Sequence, residues 1–195
     1  EAKMAFGNDA VYVETLIPKV RHIEIQIVGD GRGGIAHLWE RECSVQRQKQ
    51  KIVEIAQSPT LPDEARQQLI SAAIKMAKKA SYLSLGTFEF LVEMDSPENF
   101  YFIEANPRLQ VEHTVTEAIT GVDLVQLQLL IASGNTLDDL NINEPPPPKG
   151  YAIQCRINME TISKKGMFKP SGGVISVYEP PNGPGIRVDG FGYAN

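Results

Sequence analysis

Glu104 sits inside an apolar run, Phe100-Tyr-Phe-Ile-Glu104-Ala-Asn106. An isolated ionised carboxylate buried in such a strand costs on the order of several kcal/mol, so it needs a cation. Asn106 lies two residues on and shares its face in an extended chain. Glu89 is likewise flanked by aromatics in Gly86-Thr-Phe-Glu89-Phe-Leu91. If these two segments pair as a hairpin, two acids and an amide oxygen form an all-oxygen donor set. That chemistry suits Mg²⁺, which usually takes one or two carboxylates together with phosphate oxygens. The competing reading is that Arg108 or a lysine neutralises each acid, and the pattern alone leaves both open.

A second cluster is cationic. Arg41 to Lys51 is locally basic, and Arg47, Lys49 and Lys51 alternate. On an extended strand this would put three cations on one face, fit for phosphate or bicarbonate. Taken alone, the pattern fits a solvated edge strand better, since edge lysines block aggregation. His22, beside Arg21 and Glu24, reads by itself as a structural histidine. Cys155 reads as a small buried apolar residue and Trp39 as packing.

The elements that must position these groups mix strands and helices. Val11 to Ile17 and Ile23 to Val28 are β-branched and alternating, with Glu24 and Gln26 on one face and Ile23, Ile25 and Ile27 on the other. A glycine-rich turn at 29–34 returns the chain into a strand over Ile35 to Trp39, and Lys51 to Ala56 is another. Pro62, Asp63 and Glu64 open a helix with Ala65, Leu69, Ala72, Ala73, Met76 and Ala80 at helical spacing, and Lys75, Lys78 and Lys79 near its end. Thr87 to Glu93 and Phe100 to Ala105 form the second hairpin, and Val122 to Ala132 a further helix. The run Pro145 to Pro148 is a stiff connector and places a boundary at 144–150. Beyond it, Tyr151 to Asn158, Gly173 to Tyr178 and Gly185 to Asp189 read as short antiparallel strands. The fold class is α+β, built from hairpins rather than βαβ units.

Composition narrows the function classes. The 195 residues carry 42% hydrophobic and 22% charged side chains, a globular profile, and a net charge of −5. That charge disfavours nucleic-acid binding, as does the lack of aromatics interleaved with Arg47, Lys49 and Lys51. Two cysteines cannot staple a chain this long, so a reducing compartment is expected. No apolar run approaches the ~18 residues of a membrane span. The chain opens on Glu1-Ala2-Lys3 without an initiator Met or signal peptide, which reads as an excised or processed piece.

Three segments together resemble a known family. Glu40-Arg-Glu-Cys-Ser-Val-Gln-Arg47, Gly86-Thr-Phe-Glu-Phe-Leu91 and above all Phe102-Ile-Glu-Ala-Asn-Pro-Arg-Leu-Gln-Val-Glu-His-Thr-Val-Thr-Glu117 are similar to biotin carboxylase, the ATP-grasp component of biotin-dependent carboxylases. Ala152-Ile-Gln-Cys-Arg156-Ile-Asn and Pro170-Ser-Gly-Gly173 extend the resemblance over essentially the whole chain. Ile52 to Ala56 and Gln110 to Thr116 lean toward the pyruvate and acyl-CoA carboxylase branches. The resemblance implies the C-terminal lobe of an ATP-grasp fold, an antiparallel sheet with flanking helices. In that frame residues 1–15 are the tail of the lid and the hinge, 16–143 the lobe, and 151–195 the start of the C-terminal subdomain. The N-terminal domain and the lid with its glycine-rich phosphate loop would lie outside this chain, which alone would be inactive.

The resemblance also implies roles. Glu89, Glu104 and Asn106 would hold Mg²⁺ or Mn²⁺ on ATP. Lys51, Arg108, Gln110 and the backbone of Val111 would cradle bicarbonate, Glu112 would be the general base, and Arg156 would stabilise the enolate-like oxygen of biotin. Adenine would sit at the hinge of Glu14, Thr15 and Ile17 with Leu91 beneath it, and His22 and Gln46 would face the ribose. Lys49 stands where the family usually has His or Asn, which alters the ribose–phosphate contact. The implied partners are a biotin carboxyl carrier domain, a carboxyltransferase and the rest of an oligomeric parent, in the cytoplasm or, in a eukaryote, the mitochondrial matrix. The alternatives are another ATP-grasp ligase, carbamoyl-phosphate synthetase-like, and a nucleotide-binding piece without activity of its own.

Overall fold

The structure, a computed structural model, describes residues 1–194. The chain divides into two compact units, Glu1–Arg156 and the segment from Ile157 onward. The first is built on a six-stranded antiparallel sheet of β1 (Val20–Asp30), β2 (Ile35–Arg47), β3 (Gln50–Ala56), β4 (Leu83–Glu93), β5 (Phe100–Asn106) and β6 (Ala152–Cys155), in spatial order β5-β4-β1-β2-β3-β6. The helices are α1 (Ala2–Phe6), α2 (Asp63–Lys79), α3 (His113–Thr120) and α4 (Leu124–Ala132).

Strand alternation divides the sheet into two faces. Ile23, Ile25 and Ile27 join Phe88 and Phe90 under Leu69, Ala73 and Ala77 of α2. Asp63 and Glu64 occupy the first turn of α2, and Lys78 and Lys79 the last, which complements the helix dipole. The N-terminal end of α2 is tied to the sheet through charge: Arg66 Nε donates to Glu40 Oε1 at 2.9 Å. On the opposite face Val28, Leu38 and Leu85 pack against Leu124, Leu127 and Ile131 of α4. Helix α3 adds Val115 and Ile119 beside Ala56 and stops at Gly121, whose φ of 73° is the left-handed conformation glycine adopts freely. These two helices cover one end of that face. The other end carries Glu24, Arg41, Lys51 and Glu89.

Several expectations change. Val11 to Ile17 is not a strand; residues 8–18 form neither helix nor strand, and Val11 and Val13 are exposed. A β-branched run needs a partner strand to bond, and none pairs with it. Gly173 to Tyr178 and Gly185 to Asp189 are not strands either. The second unit instead contains one hairpin, β7 (Glu160–Ile162) with β8 (Phe168–Pro170). Helix α3 falls in a segment with no apolar stripe long enough to announce it.

The boundary also moves. The proline run stays in the first unit, where the Pro146 carbonyl accepts from Trp39 Nε1 at 2.8 Å. Immediately after it, β6 pairs with β3 in the register Glu54↔Gln154 and Ile55↔Ile153. The division therefore falls after Arg156 rather than at 144–150. Cys155 is exposed, against the expectation of burial, because β6 is an edge strand; Cys43 is the buried cysteine. Asn195 lies outside the described residues. No single helix among them is long and apolar enough to cross a membrane.

Candidate functional site

Strand register assembles the site. Glu24 on β1 stands opposite Glu89 on β4 and opposite Arg41 on β2, and Glu89 stands opposite Glu104 on β5. Side chains directly opposite in a sheet share a face and lie close, so three acids and one guanidinium form a row across it. The next row contains Gln26, Thr87 and Asn106. Adjacent like charges repel, and the surroundings must offset this.

Two cations do most of it. Arg41 is fully buried. Its Nε donates to Glu24 Oε1, Nη1 to Gln26 at 2.8 Å and Thr116 at 2.9 Å, and Nη2 to Thr87 at 3.1 Å and Gln110 at 3.5 Å. Lys51 Nζ lies 2.6 Å from Glu24 Oε2, 2.9 Å from Glu89 Oε1 and 2.8 Å from Glu112 Oε1. An ammonium has three N–H donors, and here each meets a carboxylate. An anion therefore reaches Lys51 by replacing one of them. Burial opposes the Lys51 charge, but Glu24 and Glu112 prevail and push its pKa up.

Glu89 is engaged from four sides. Its Oε1 accepts from Lys51, Asn106 and Gln110, each at 2.9 Å, and its Oε2 lies 2.5 Å from His22 Nε2. Burial raises its pKa, yet the hydrogen bonds from His22, Lys51 and Gln110 outweigh it and bring the value down to about 2. Glu112 is buried at the N-terminus of α3. It faces Lys51 through Oε1 and Arg156 Nη2 at 3.1 Å through Oε2. Burial raises its pKa and the attraction of Lys51 and Arg41 lowers it, with a net downward shift.

The expected groups converge unevenly. Glu89, Glu104 and Asn106 come together: Asn106 Nδ2 donates to Glu89 at 2.9 Å and to Glu104 Oε1 at 3.0 Å. Glu104 itself is exposed, contrary to the expectation of a buried acid, because β5 is an edge strand. Water screens its charge, so it needs no dedicated cation. Lys51, Gln110, Glu112 and Arg156 join the same cluster. Arg108 does not; it is exposed and donates to the carbonyl of its neighbour Leu109 at 3.2 Å. Val111 lies in the loop before α3 with its side chain exposed.

His22 bridges Glu89 and Gln46, with Gln46 Nε2 2.8 Å from its Nδ1, so this pair forms one end of the cluster. Leu91 is opposite His22 in the sheet and half-buried. Glu14 and Thr15 are exposed and Ile17 half-buried in the irregular segment before β1. The alternating-cation face is not formed. Arg47 and Gln50 pair across a two-residue turn in which Gln48 (φ 51°) and Lys49 (φ 64°) are both left-handed, as in a type I′ hairpin. Lys49 is exposed at that tip, and Lys51 reaches the acids.

The sequence alone does not mark Glu24, Gln26, Arg41, Glu54, Thr87 or Thr116 as participants in the site. Glu54, fully buried on β3, accepts from Arg156 Nε at 2.6 Å. The available signal was Glu24 and Gln26 alternating with isoleucines in a strand with both faces covered. Cys43 brings its sulfur within 4.8 Å of Glu24 and Glu112 carboxylate oxygens, but burial pushes its thiol up and keeps it protonated.

A family profile described as "Carbamoyl-phosphate synthase L chain, ATP binding domain" matches residues 1–140. A pyruvate carboxylase of Aspergillus terreus is 49% identical over 191 residues, 97% of this chain and 16% of that protein. The chain thus spans about a sixth of the length of the curated relatives it matches. Among solved structures, the biotin carboxylase domain of a single-chain bacterial carboxylase superposes with a TM-score of 0.84 at 47% identity, covering 99% of this chain and 43% of that one. The biotin carboxylase domain of a thermophilic 2-oxoglutarate carboxylase bound to bicarbonate gives 0.80 at 47% identity, covering 93% and 40%.

Proposed function

Because the chain belongs to the carbamoyl-phosphate synthase L chain, ATP-binding domain family, we propose that it is the part of a biotin carboxylase that binds bicarbonate and Mg-ATP phosphates. The reaction is ATP- and bicarbonate-dependent carboxylation of biotin through carboxyphosphate. The observation that carries this reading is the position of Glu112, a buried carboxylate held between Lys51 and Arg156 and joined through Lys51 to Glu89. A general base, two cations and a metal-competent acid share one small volume.

The chemistry of the donor set fits Mg²⁺. Glu89 and Glu104 are joined through one Asn106 amide, and rotation of that amide presents its oxygen in place of its nitrogen. Glu89, Glu104 and Asn106 would hold the ion, which would neutralise charge on the ATP phosphates. Bicarbonate is taken up by Lys51, with Gln110 and the Val111 backbone beside it and Arg108 swinging in from solvent. Glu112 accepts the bicarbonate proton on a carboxylate oxygen, freeing the bicarbonate oxygen to attack the γ-phosphate, with the bond to the β–γ bridging oxygen breaking and ADP leaving. Arg156 meets the charge that develops on the ureido oxygen of biotin. Glu14, Thr15, Ile17 and Leu91 take the adenine side, and His22, Gln46 and Lys49 the ribose side.

The partners of this reading are a biotin carrier domain, a carboxyltransferase that selects the final acceptor, and an N-terminal domain and lid, in an oligomeric parent. Two unpaired cysteines support a reducing compartment, the cytoplasm or a mitochondrial matrix. The test is bicarbonate-dependent ATP cleavage by the full-length protein, with and without free biotin. Stimulation by biotin is the expected result. ATP cleavage that ignores biotin but requires an amine donor assigns the chain to a carbamoyl-phosphate synthetase-like ligase instead.

A further inference from the structure

Glu54 has no place in the chemistry above, yet it is a fully buried carboxylate beside it. Its Oε1 accepts from Arg156 Nε at 2.6 Å and its Oε2 from Gln154 Nε2 at 3.4 Å. Gln154 is fixed in turn by Thr114 Oγ1 at 2.6 Å, from the first turn of α3. Glu54 is thus clamped from β6 and α3 in a site deeper than the guanidinium it holds, since the Arg156 side chain is 29% exposed.

We propose that Glu54 is the positioning residue for Arg156, holding its guanidinium astride two carboxylates so that one nitrogen stays available to substrate. Arg156 uses Nε on Glu54 and Nη2 on Glu112. Its Nη1 makes no hydrogen bond among the described residues. A guanidinium beside a single carboxylate favours a two-pronged pairing through parallel N–H groups. With Glu54 neutral, Arg156 turns onto Glu112, its outer nitrogen is consumed, and its direction changes. Backbone pairing holds the main chain in place throughout, since Arg156 N donates to the Ile52 carbonyl at 3.0 Å. The effect is therefore confined to the side chain. The proposal rests on the biotin carboxylase reading.

The test uses the full-length protein with Glu54→Gln, Glu54→Asp, Arg156→Gln and the Glu54→Gln/Arg156→Gln double variant. Free-biotin carboxylation and bicarbonate-dependent ATP cleavage are measured side by side. Misplacing a reacting partner by about 1 Å costs ~10²-fold, so Glu54→Gln is expected to lower carboxylation by that order while ATP cleavage stays within ~3-fold of wild type. Glu54→Asp restores part of the carboxylation, and Glu54→Gln adds no further loss in the Arg156→Gln background. A proportionate fall in both activities, or additive losses in the double variant, overturns the proposal, because a merely structural residue behaves that way. If Glu54→Gln does not fold, the ratio of the two activities in Glu54→Asp decides by the same criterion. A wild type without biotin-dependent activity overturns the functional reading and this proposal together, which separates that failure from the others.

Discussion

Glu24 and Glu89 stand directly opposite one another on β1 and β4, and the Lys51 ammonium lies 2.6 Å from one and 2.9 Å from the other. Two acids at paired positions would repel; with Lys51 between them they become a rigid clamp. The site is therefore part of the sheet's own electrostatics, and its substitutions divide by which acid loses its partner.

Lys51→Met removes the cation and leaves three carboxylates. Breaking a buried ion pair from one side costs about 3–5 kcal/mol, so a loss of that order is expected in chemical denaturation at pH 7. The deficit should shrink at acid pH, where Glu89 and Glu112 take up protons and no longer need Lys51. A loss below about 1 kcal/mol at pH 7 would mean that water reaches the acids.

Glu89 sets an acid limit on stability. Its folded value of about 2 lies below its ordinary 4.5, so its contribution is present in full above pH 4.5 and disappears as pH falls toward 2. The amount is on the order of 3 kcal/mol. Glu89→Gln should be less stable than wild type at neutral pH and should lose the corresponding slope between pH 4.5 and 2. Parallel pH–stability curves for the two proteins would contradict the assignment.

Glu104 offers the contrast. It is exposed on an edge strand and, among the described residues, is held through Asn106, so Glu104→Gln should change stability by no more than about 0.5 kcal/mol. If it is a metal ligand, Mn²⁺ affinity in the presence of nucleotide should nevertheless fall, measured by calorimetry or by paramagnetic relaxation. Unaltered Mn²⁺ affinity removes Glu104 from the proposed metal set.

Glu112 and Arg156 share an ion pair but should separate in kinetics. If Glu112 is the general base, Glu112→Gln in the full-length protein keeps the shape and loses the proton acceptor, so bicarbonate-dependent turnover should fall ~10²–10⁴-fold with little change in Mg-ATP affinity. Arg156→Gln should preserve ATP cleavage and lose biotin carboxylation. Equal losses of both activities in both variants, with a lowered melting temperature, would make the pair structural.

Much of this was legible in the residue order, for identifiable reasons. The alternation of Ile23, Ile25 and Ile27 with Glu24 and Gln26 assigns both faces of β1, and the hairpin carrying Glu89 and Glu104 follows from two aromatic-rich runs around a polar turn. What failed depended on neighbours. Val11 to Ile17 has strand chemistry but no strand beside it, and Glu104 has a core-like context but an edge position. Arg41 opens the locally basic segment, and it is fully buried because Glu24, Gln26, Thr87 and Thr116 supply partners from other elements. Arg108 stands apart from the cluster its motif position implies, because its side chain folds back on its own loop.

The pairing of β3 with β6 joins residues about a hundred positions apart, Glu54 with Gln154. A chain emerging from the ribosome forms the β1–β2–β3 meander early, through contacts local in sequence, and docks β6 only after the prolines have cleared the exit tunnel. Until then Glu54 lacks its guanidinium and Glu112 has Lys51 without Arg156. Synthesis thus completes the scaffold first and the charge balance last, and a nascent chain arrested before residue 156 carries the lysine–carboxylate clamp without its outermost cation.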